Sequence, residues 1–297
     1  MYYRIYEKKE YIARGSFGVV WKAELHSQHH KLPLQHNQVR DLSSIAIELL
    51  TRVQFIRKEV EQREGEKEDE YTHELQNLCL LVHLKHPNIV ELFCAYVHHQ
   101  RFNLVFEVAE GGTLEDYLEK PAALPEEAML TALPELASAI DAMHNFMSDV
   151  LDIRLTGCHH DLAARNILIR GQTLLLADFG LSSFRSSEEG SLTMFKEVRG
   201  SYVAPECQTF AGLDIQTEKI TNASDIWSFG CLLAEILTHM IKGEKGVEKF
   251  RKNRFHAVNA QLAWYRFHRR PHGENPEVHS WLSSLMTPTK PYVGQMV

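Results

Sequence analysis

The stretch His159-His160-Asp161-Leu162-Ala163-Ala164-Arg165-Asn166, followed by Ala177-Asp178-Phe179-Gly180, decides the reading of this 297-residue chain. It sets a carboxylate at Asp161, a carboxamide at Asn166 five residues on, and a second carboxylate at Asp178 twelve residues beyond that. A carboxylate can position an attacking hydroxyl, and Asn and Asp oxygens suit a hard divalent cation such as Mg²⁺. Asx residues also cap turns, so either segment alone is compatible with purely local bonding. Two such segments in this order make the capping reading remote.

Together they resemble the catalytic loop and the Asp-Phe-Gly metal motif of eukaryotic protein kinases. The resemblance implies an α+β, two-lobed protein kinase fold over residues 9–297, with a β-rich N-lobe over about 9–108 and an α-helical C-lobe over about 112–297. It implies that Asp161 orients the substrate hydroxyl, with Arg165 beside it, and that Asn166 and Asp178 ligate magnesium. Further landmarks extend the likeness over roughly residues 9 to 240. Ala204-Pro205-Glu206 ends 28 residues after Asp178, and Ser224-Asp225-Ile226-Trp227-Ser228-Phe229-Gly230 resembles the start of the long central C-lobe helix. In that family the aspartate matching Asp225 ties the helix to the catalytic-loop backbone. Phe106 matches the gatekeeper, Glu107 to Ala109 the adenine-binding hinge, and Leu168 the residue beneath the base. Phe106 and Leu168 also read as core positions on apolar strands.

Ala13-Arg14-Gly15-Ser16-Phe17-Gly18-Val19-Val20 keeps the second and third glycines of the family's G-x-G-x-x-G-x-V turn, with Ala13 in place of the first. Gly15 and Gly18 carry no Cβ, so backbone N–H groups around Ser16 and Phe17 can approach a triphosphate, while Val20 packs on the base. Without its neighbours this segment reads equally as a tight hairpin turn.

Three features depart from the family pattern. The family pairs a third-strand lysine with a helix glutamate, and two registers compete for that lysine. Ile45-Ala46-Ile47-Glu48 copies the motif but ends on Glu48, whereas Phe55-Ile56-Arg57-Lys58 places Lys58 sixteen residues before Glu74. We prefer Lys58–Glu74, although Asn77 competes for the glutamate position and both Lys58 and Glu74 fit a solvated charge run. His160 replaces the arginine that normally receives an activation-loop phosphate, which implies ordering independent of that contact. After Trp281 no Arg-Pro pair offers a partner for Glu206, so the last helix is expected to be missing or rewritten.

The rest of the sequence frames these motifs. Residues 9–23 read as two strands around the glycine turn, His26 to Arg40 as a surface loop, and Arg57 to Glu70 as a solvated loop or exposed helix face. Leu75, Leu78, Leu81, Val82 and Leu84 follow helical spacing up to His86-Pro87. Ile89–Val97 and Phe102–Val108 read as strands; Leu114–Lys120, Glu126–Phe146 and Ser224–Ile241 read as helices. The five cysteines form no CxxC pair, which argues against a zinc site or disulfide scaffold. A net charge of −7 argues against nucleic-acid or anionic-membrane partners, and a polar N-terminus and an interrupted apolar stretch at Trp227–Ile241 suggest a soluble, cytoplasmic protein.

Two functions fit. One is an ATP- and Mg²⁺-dependent protein kinase that transfers the γ-phosphate to serine or threonine of protein substrates. The other is a pseudokinase that binds nucleotide or scaffolds partners, as Ala13, His160 and the alternative Glu48 register suggest. Specificity signals are mixed: Leu162-Ala163-Ala164-Arg165-Asn166 resembles tyrosine kinases. Gly200-Ser201-Tyr202-Val203-Ala204-Pro205-Glu206 resembles Ser/Thr kinases, and its setting resembles fungal kinase-like proteins with a His-His-Asp loop. An unrelated dinucleotide-binding fold is disfavoured, because no acidic residue follows the glycine turn in a βαβ context.

Overall fold

Strand β3 (Arg52–Glu61) decides how the first part of the chain is built, because alternation along it sends successive side chains to opposite faces. The computed structural model describes residues 8–15, 18–26, 52–61, 67–98, 101–122, 124–186, 200–207, 221–259, 262–268 and 274–286. These fall into two units, one from residues up to 83 together with 90–109, the other from 84–89 and 110 onward.

The first unit is a five-stranded antiparallel sheet in the order β1-β2-β3-β5-β4, with β1 (Lys8–Gly15), β2 (Gly18–His26), β4 (Leu92–His98) and β5 (Arg101–Phe106). Helix α1 (Lys67–Leu84) belongs to it. Tyr71, Glu74, Leu78 and Leu81 are buried on α1, a stripe at helical spacing, and Tyr71 stacks on Phe102 of β5 with ring centroids 4.1 Å apart. The helix stops where the sequence signals, at Lys85 in the left-handed region and Pro87 just after.

The start of the charged run, Arg57 to Val60, is not the solvated segment that its composition suggests. The first five residues of the run complete β3, and Arg57 and Glu59 are both buried. Arg57 donates to Glu59 at 2.5 Å, and Arg101 of β5 pairs with the other Glu59 oxygen. A buried charge persists only when paired, and these residues pair with one another. Gly18 is also required structurally: its φ is 152°, and a Cβ there would lie 2.4 Å from the Glu59 carbonyl oxygen. The surface loop expected over residues 26–40 lies, beyond His26, outside the described residues.

The second unit is mainly helical. Helix α2 (Leu114–Leu118) opens with a capping box in which Thr113 and Asp116 satisfy each other's backbone N–H groups. Helix α3 (Glu126–His144) buries Met129, Leu133, Leu136, Ile140 and Met143 on one face. Strands β6 (Phe146–Ser148), β7 (Ile153–Cys158) and β10 (Ser183–Ser186) form a small sheet in the order β10-β7-β6. Strands β8 (Ile167–Arg170) and β9 (Thr173–Leu176) make a hairpin, turning at Gly171 with φ 59°.

Helix α4 runs from Ala223 to Asn253, well past the expected end at Ile241, with a kink at Gly243 (φ 69°, ψ −171°). Strands β11 (His256–Asn259) and β12 (Leu262–Trp264) pair after it, and α5 (Pro276–Leu285) closes the unit. A helix is therefore present among the described residues after Asn275. Trp281 of α5 donates to the Thr238 hydroxyl at 3.0 Å and is buried against α4. Nineteen residues of unbroken helix would span about 28 Å, yet Arg254 reaches Glu235 at 2.6 Å. The Gly243 kink makes that return possible.

Candidate active site

In the strand unit, parity and stripe meet. Lys58 lies on the β3 face shared with Ile56 and Val60, and Glu74 lies on the buried stripe of α1. Lys58 Nζ donates to both Glu74 carboxylate oxygens, at 2.8 and 2.9 Å. Both side chains are largely shielded, so the solvated alternative is corrected here: a bidentate pair joins strand to helix. Asn77 is buried too and lies 3.4 Å from His73 Nδ1 through its amide nitrogen. The competing Glu48 lies outside the described residues, as do Ser16 and Phe17. Gly15 and Gly18 pair across β1 and β2 at the mouth of the turn, and Val20 follows on β2 opposite Lys58. Phe106 ends β5, and Glu107 and Ala109 follow it, half-buried.

In the helical unit, Asp225 anchors the loop that carries Asp161. Its carboxylate accepts the His159 N–H at 2.7 Å, the His160 N–H at 2.9 Å and His144 Nε2 at 2.9 Å. Burial pushes this carboxyl up, but the hydrogen bonds from the His144 ring and the His159 N–H help outweigh it and hold it below its ordinary value. A depressed carboxyl adds stability above its unfolded pKa, and that stability is lost as the pH falls through the folded value. Wild type is therefore expected to lose stability as the pH drops below about 4, whereas Asp225→Asn, which cannot titrate, loses less over the same range. Acid unfolding followed by tryptophan fluorescence checks this; a gap between the two proteins that does not change with pH removes the argument.

His159 is fully buried and accepts the Asp161 N–H at Nδ1, so its proton sits on Nε2 and is donated to the Ala177 carbonyl at 3.1 Å. The Asp161 carboxylate is held on both oxygens. Arg165 pairs with Oδ1, and the Asn166 amide donates to Oδ2 at 2.8 Å and to the Asp161 carbonyl at 2.7 Å. With its NH₂ group committed, Asn166 keeps Oδ1 as an acceptor. The Ala177 N–H bonds the Asn166 carbonyl at 2.9 Å, which brings Asp178 beside Asn166. Asp178 and His160 both have φ near 64°, a left-handed conformation that non-glycine residues adopt only when their surroundings impose it. Leu168 sits on β8 and bridges Thr113.

An oxygen-donor pair of one carboxylate and one carboxamide suits Mg²⁺, which binds through few protein ligands plus substrate phosphates. Among the described residues no cluster of three or more His, Cys, Asp or Glu side chains offers a competing metal site.

A pocket opens beside Asp161, lined by His160, Arg165, Tyr202, Val203, Cys207 and Ser224 among others. Burial, with Glu206 adding, pushes the Cys207 thiol up to about 12, so it stays protonated and is a poor nucleophile. The sequence reading assigns no role to Tyr202, inside the Gly200-to-Glu206 segment, or to Cys207, just after it. The Tyr202 hydroxyl donates to Glu235 at 3.0 Å, and burial followed by Glu235 raises its pKa. Glu235 in turn binds Arg251 at 2.7 Å and Arg254 at 2.6 Å. Sequence reading missed this cluster entirely. Glu206, whose arginine partner was sought beyond Trp281, is exposed and has no ion-pair partner among the described residues.

Residues 43–288 match the family described as the protein kinase domain, and the chain belongs to that family. It is 30% identical over 195 residues to the serine/threonine-protein kinase CHK1 of Saccharomyces cerevisiae, covering 64% of this chain and 34% of that protein. It is 26% identical over 236 residues to the serine/threonine-protein kinase Nek8 of Danio rerio, covering 78% of this chain and 28% of that protein. It is also 29% identical over 160 residues to the tyrosine-protein kinase SRK2 of Spongilla lacustris, covering 52% and 39%. The chain thus spans about a third of the length of these curated relatives. The strand-rich and helix-rich units are those of the two-lobed kinase fold. No helix among the described residues is long and apolar enough to cross a membrane.

Proposed function

We propose that residues 9–297 form an ATP- and Mg²⁺-dependent protein kinase domain that transfers the γ-phosphate to serine or threonine hydroxyls of protein substrates. The carrying observation is the Asp161 carboxylate, gripped by Arg165 and Asn166 on a loop anchored by Asp225. On this reading Asp161 accepts and orients the substrate hydroxyl in the pocket walled by Tyr202 and Val203. Asn166 and Asp178 would hold the metal ion, which when bound neutralises charge on the phosphates. Lys58, kept extended by Glu74, contacts phosphate; Gly15 and Gly18, with Ser16 and Phe17 between them, supply backbone N–H groups to it. Glu107 and Ala109 hydrogen-bond adenine, and Val20 and Leu168 offer it apolar contact.

The Gly200-to-Glu206 segment and the serine/threonine kinases among the relatives favour hydroxyls of Ser and Thr, while Arg165 favours Tyr. The His-His-Asp loop aligns the chain with fungal kinase-like proteins. A pseudokinase is the second reading, favoured by Ala13 and by His160.

MgATP at millimolar concentration is expected to raise the thermal midpoint, since a ligand well above its Kd stabilises the state it binds. Lys58→Met should weaken MgATP binding by about tenfold or more, as a unit charge about 4 Å from a phosphate is worth about 4 kcal/mol at an effective dielectric near 20. No shift for wild type would overturn nucleotide binding. An unaffected Lys58→Met would move the reading to the pseudokinase.

A further inference from the structure

We propose that His160 is a positioning residue, whose hydrogen bond to Ser183 fastens strand β10 to the catalytic loop and so holds Asp161 in place. The proposal rests on the reading of Asp161 given above. Three observations carry it, all within the helical unit.

His160 immediately precedes Asp161 and has φ 64°, so its conformation must be imposed by partners. Two partners are present. Its N–H bonds the buried Asp225 carboxylate at 2.9 Å, and its ring Nε2 lies 2.9 Å from the Ser183 hydroxyl. The first fixes the backbone; the second fixes the ring and, through it, the strand.

Ser183 opens β10 and lies opposite Cys158, the last residue of β7 before the histidine pair. Its neighbour Ser182 donates its hydroxyl to the His159 carbonyl at 3.3 Å. Two consecutive serines therefore hold two consecutive histidines. They also lie just beyond Asp178-Phe179-Gly180, so the same clamp ties the chain after Asp178 to the chain before Asp161.

The environment keeps the ring neutral. Burial lowers the His160 pKa to about 4, against the opposing pull of Asp225, and the nearby Arg185 charge disfavours a further one. A neutral imidazole and a hydroxyl can each donate or accept, so the bond forms with no charged or phosphorylated group.

The test compares Ser183→Ala, Ser183→Thr, His160→Phe and the double variant Ser183→Ala/His160→Phe. Ser183→Ala should lower kcat about tenfold with an unchanged KM for MgATP, and Ser183→Thr, which keeps the hydroxyl, should restore it. The double variant should be no worse than the poorer single variant, because both remove the same bond. Hydrogen exchange at the β10 amides of residues 183–186 should accelerate in Ser183→Ala and recover in Ser183→Thr. Wild-type kcat in Ser183→Ala, or a double variant whose losses multiply, would overturn the proposal. Should His160→Phe fail to fold, the Ser183 pair decides alone. If wild type binds MgATP but transfers no phosphate, the kinase reading fails separately, and exchange then decides this inference: unchanged β10 protection in Ser183→Ala sinks it.

Discussion

Asp161→Asn is expected to lower phosphoryl transfer by roughly 10²–10⁴-fold while leaving MgATP affinity nearly unchanged. The carboxamide is close in shape but replaces an acceptor-only group with one that also donates. Asp161 Oδ1 faces the Arg165 guanidinium and Oδ2 faces the Asn166 amide, so either orientation of the new amide puts an NH₂ group against a donor. The substrate hydroxyl loses its acceptor, whereas the proposed nucleotide and metal contacts belong to other residues. Turnover on a generic protein substrate, with calorimetric MgATP affinity measured alongside, separates the two effects. Wild-type turnover in the variant would mean that Asp161 is not the residue that orients the hydroxyl.

Glu235→Gln is expected to cost about 3–5 kcal/mol of stability, because it leaves a buried guanidinium without its counter-ion. Arg254 is 1% exposed, pairs with Glu235 and lies between the rings of Phe250 and Phe267 at 4.4 and 4.0 Å. Burial raises the Glu235 pKa, but Arg254 and Arg251 outweigh it and hold the carboxylate ionised. Arg251→Ala should cost less, since Arg251 is partly exposed and shares itself with the exposed Glu119. Denaturant titration of both variants gives the ranking. Equal stability of wild type and Glu235→Gln would show that the cluster does not hold the second half of α4 to the first. Because Tyr202 also bonds Glu235, the same substitution should disturb the pocket beside Asp161.

Much of the site was legible because its residues are close in sequence and their chemistry is unusual. Asp161, Asn166 and Asp178 lie within 18 positions, and the structure brings the three together through bonds among neighbours. The α1 stripe was legible for a similar reason, since a helix repeats its pattern locally. The charged run at Arg57 was misread because composition counts charges without their partners. Glu59 is paired not only with Arg57 but with Arg101, which lies on another strand 42 residues away. The cluster of Glu235, Arg251 and Arg254 stayed hidden because only the kink at Gly243 brings the two arginines back to Glu235, which a straight helix would hold more than about 20 Å away.

By itself, then, the sequence determined the family, the order of its motifs and the polar groups of the candidate site, because those depend on residue type and short spacing. Only the tertiary structure decided the partners of the charged groups. It paired Lys58 with Glu74 rather than leaving both in water, gave Arg254 the buried carboxylate of Glu235, and set His160 against Ser183. Each of those choices depends on strand parity, on a kink or on which surface is dry. A charge has no preferred partner until burial makes an unpaired one too costly to keep.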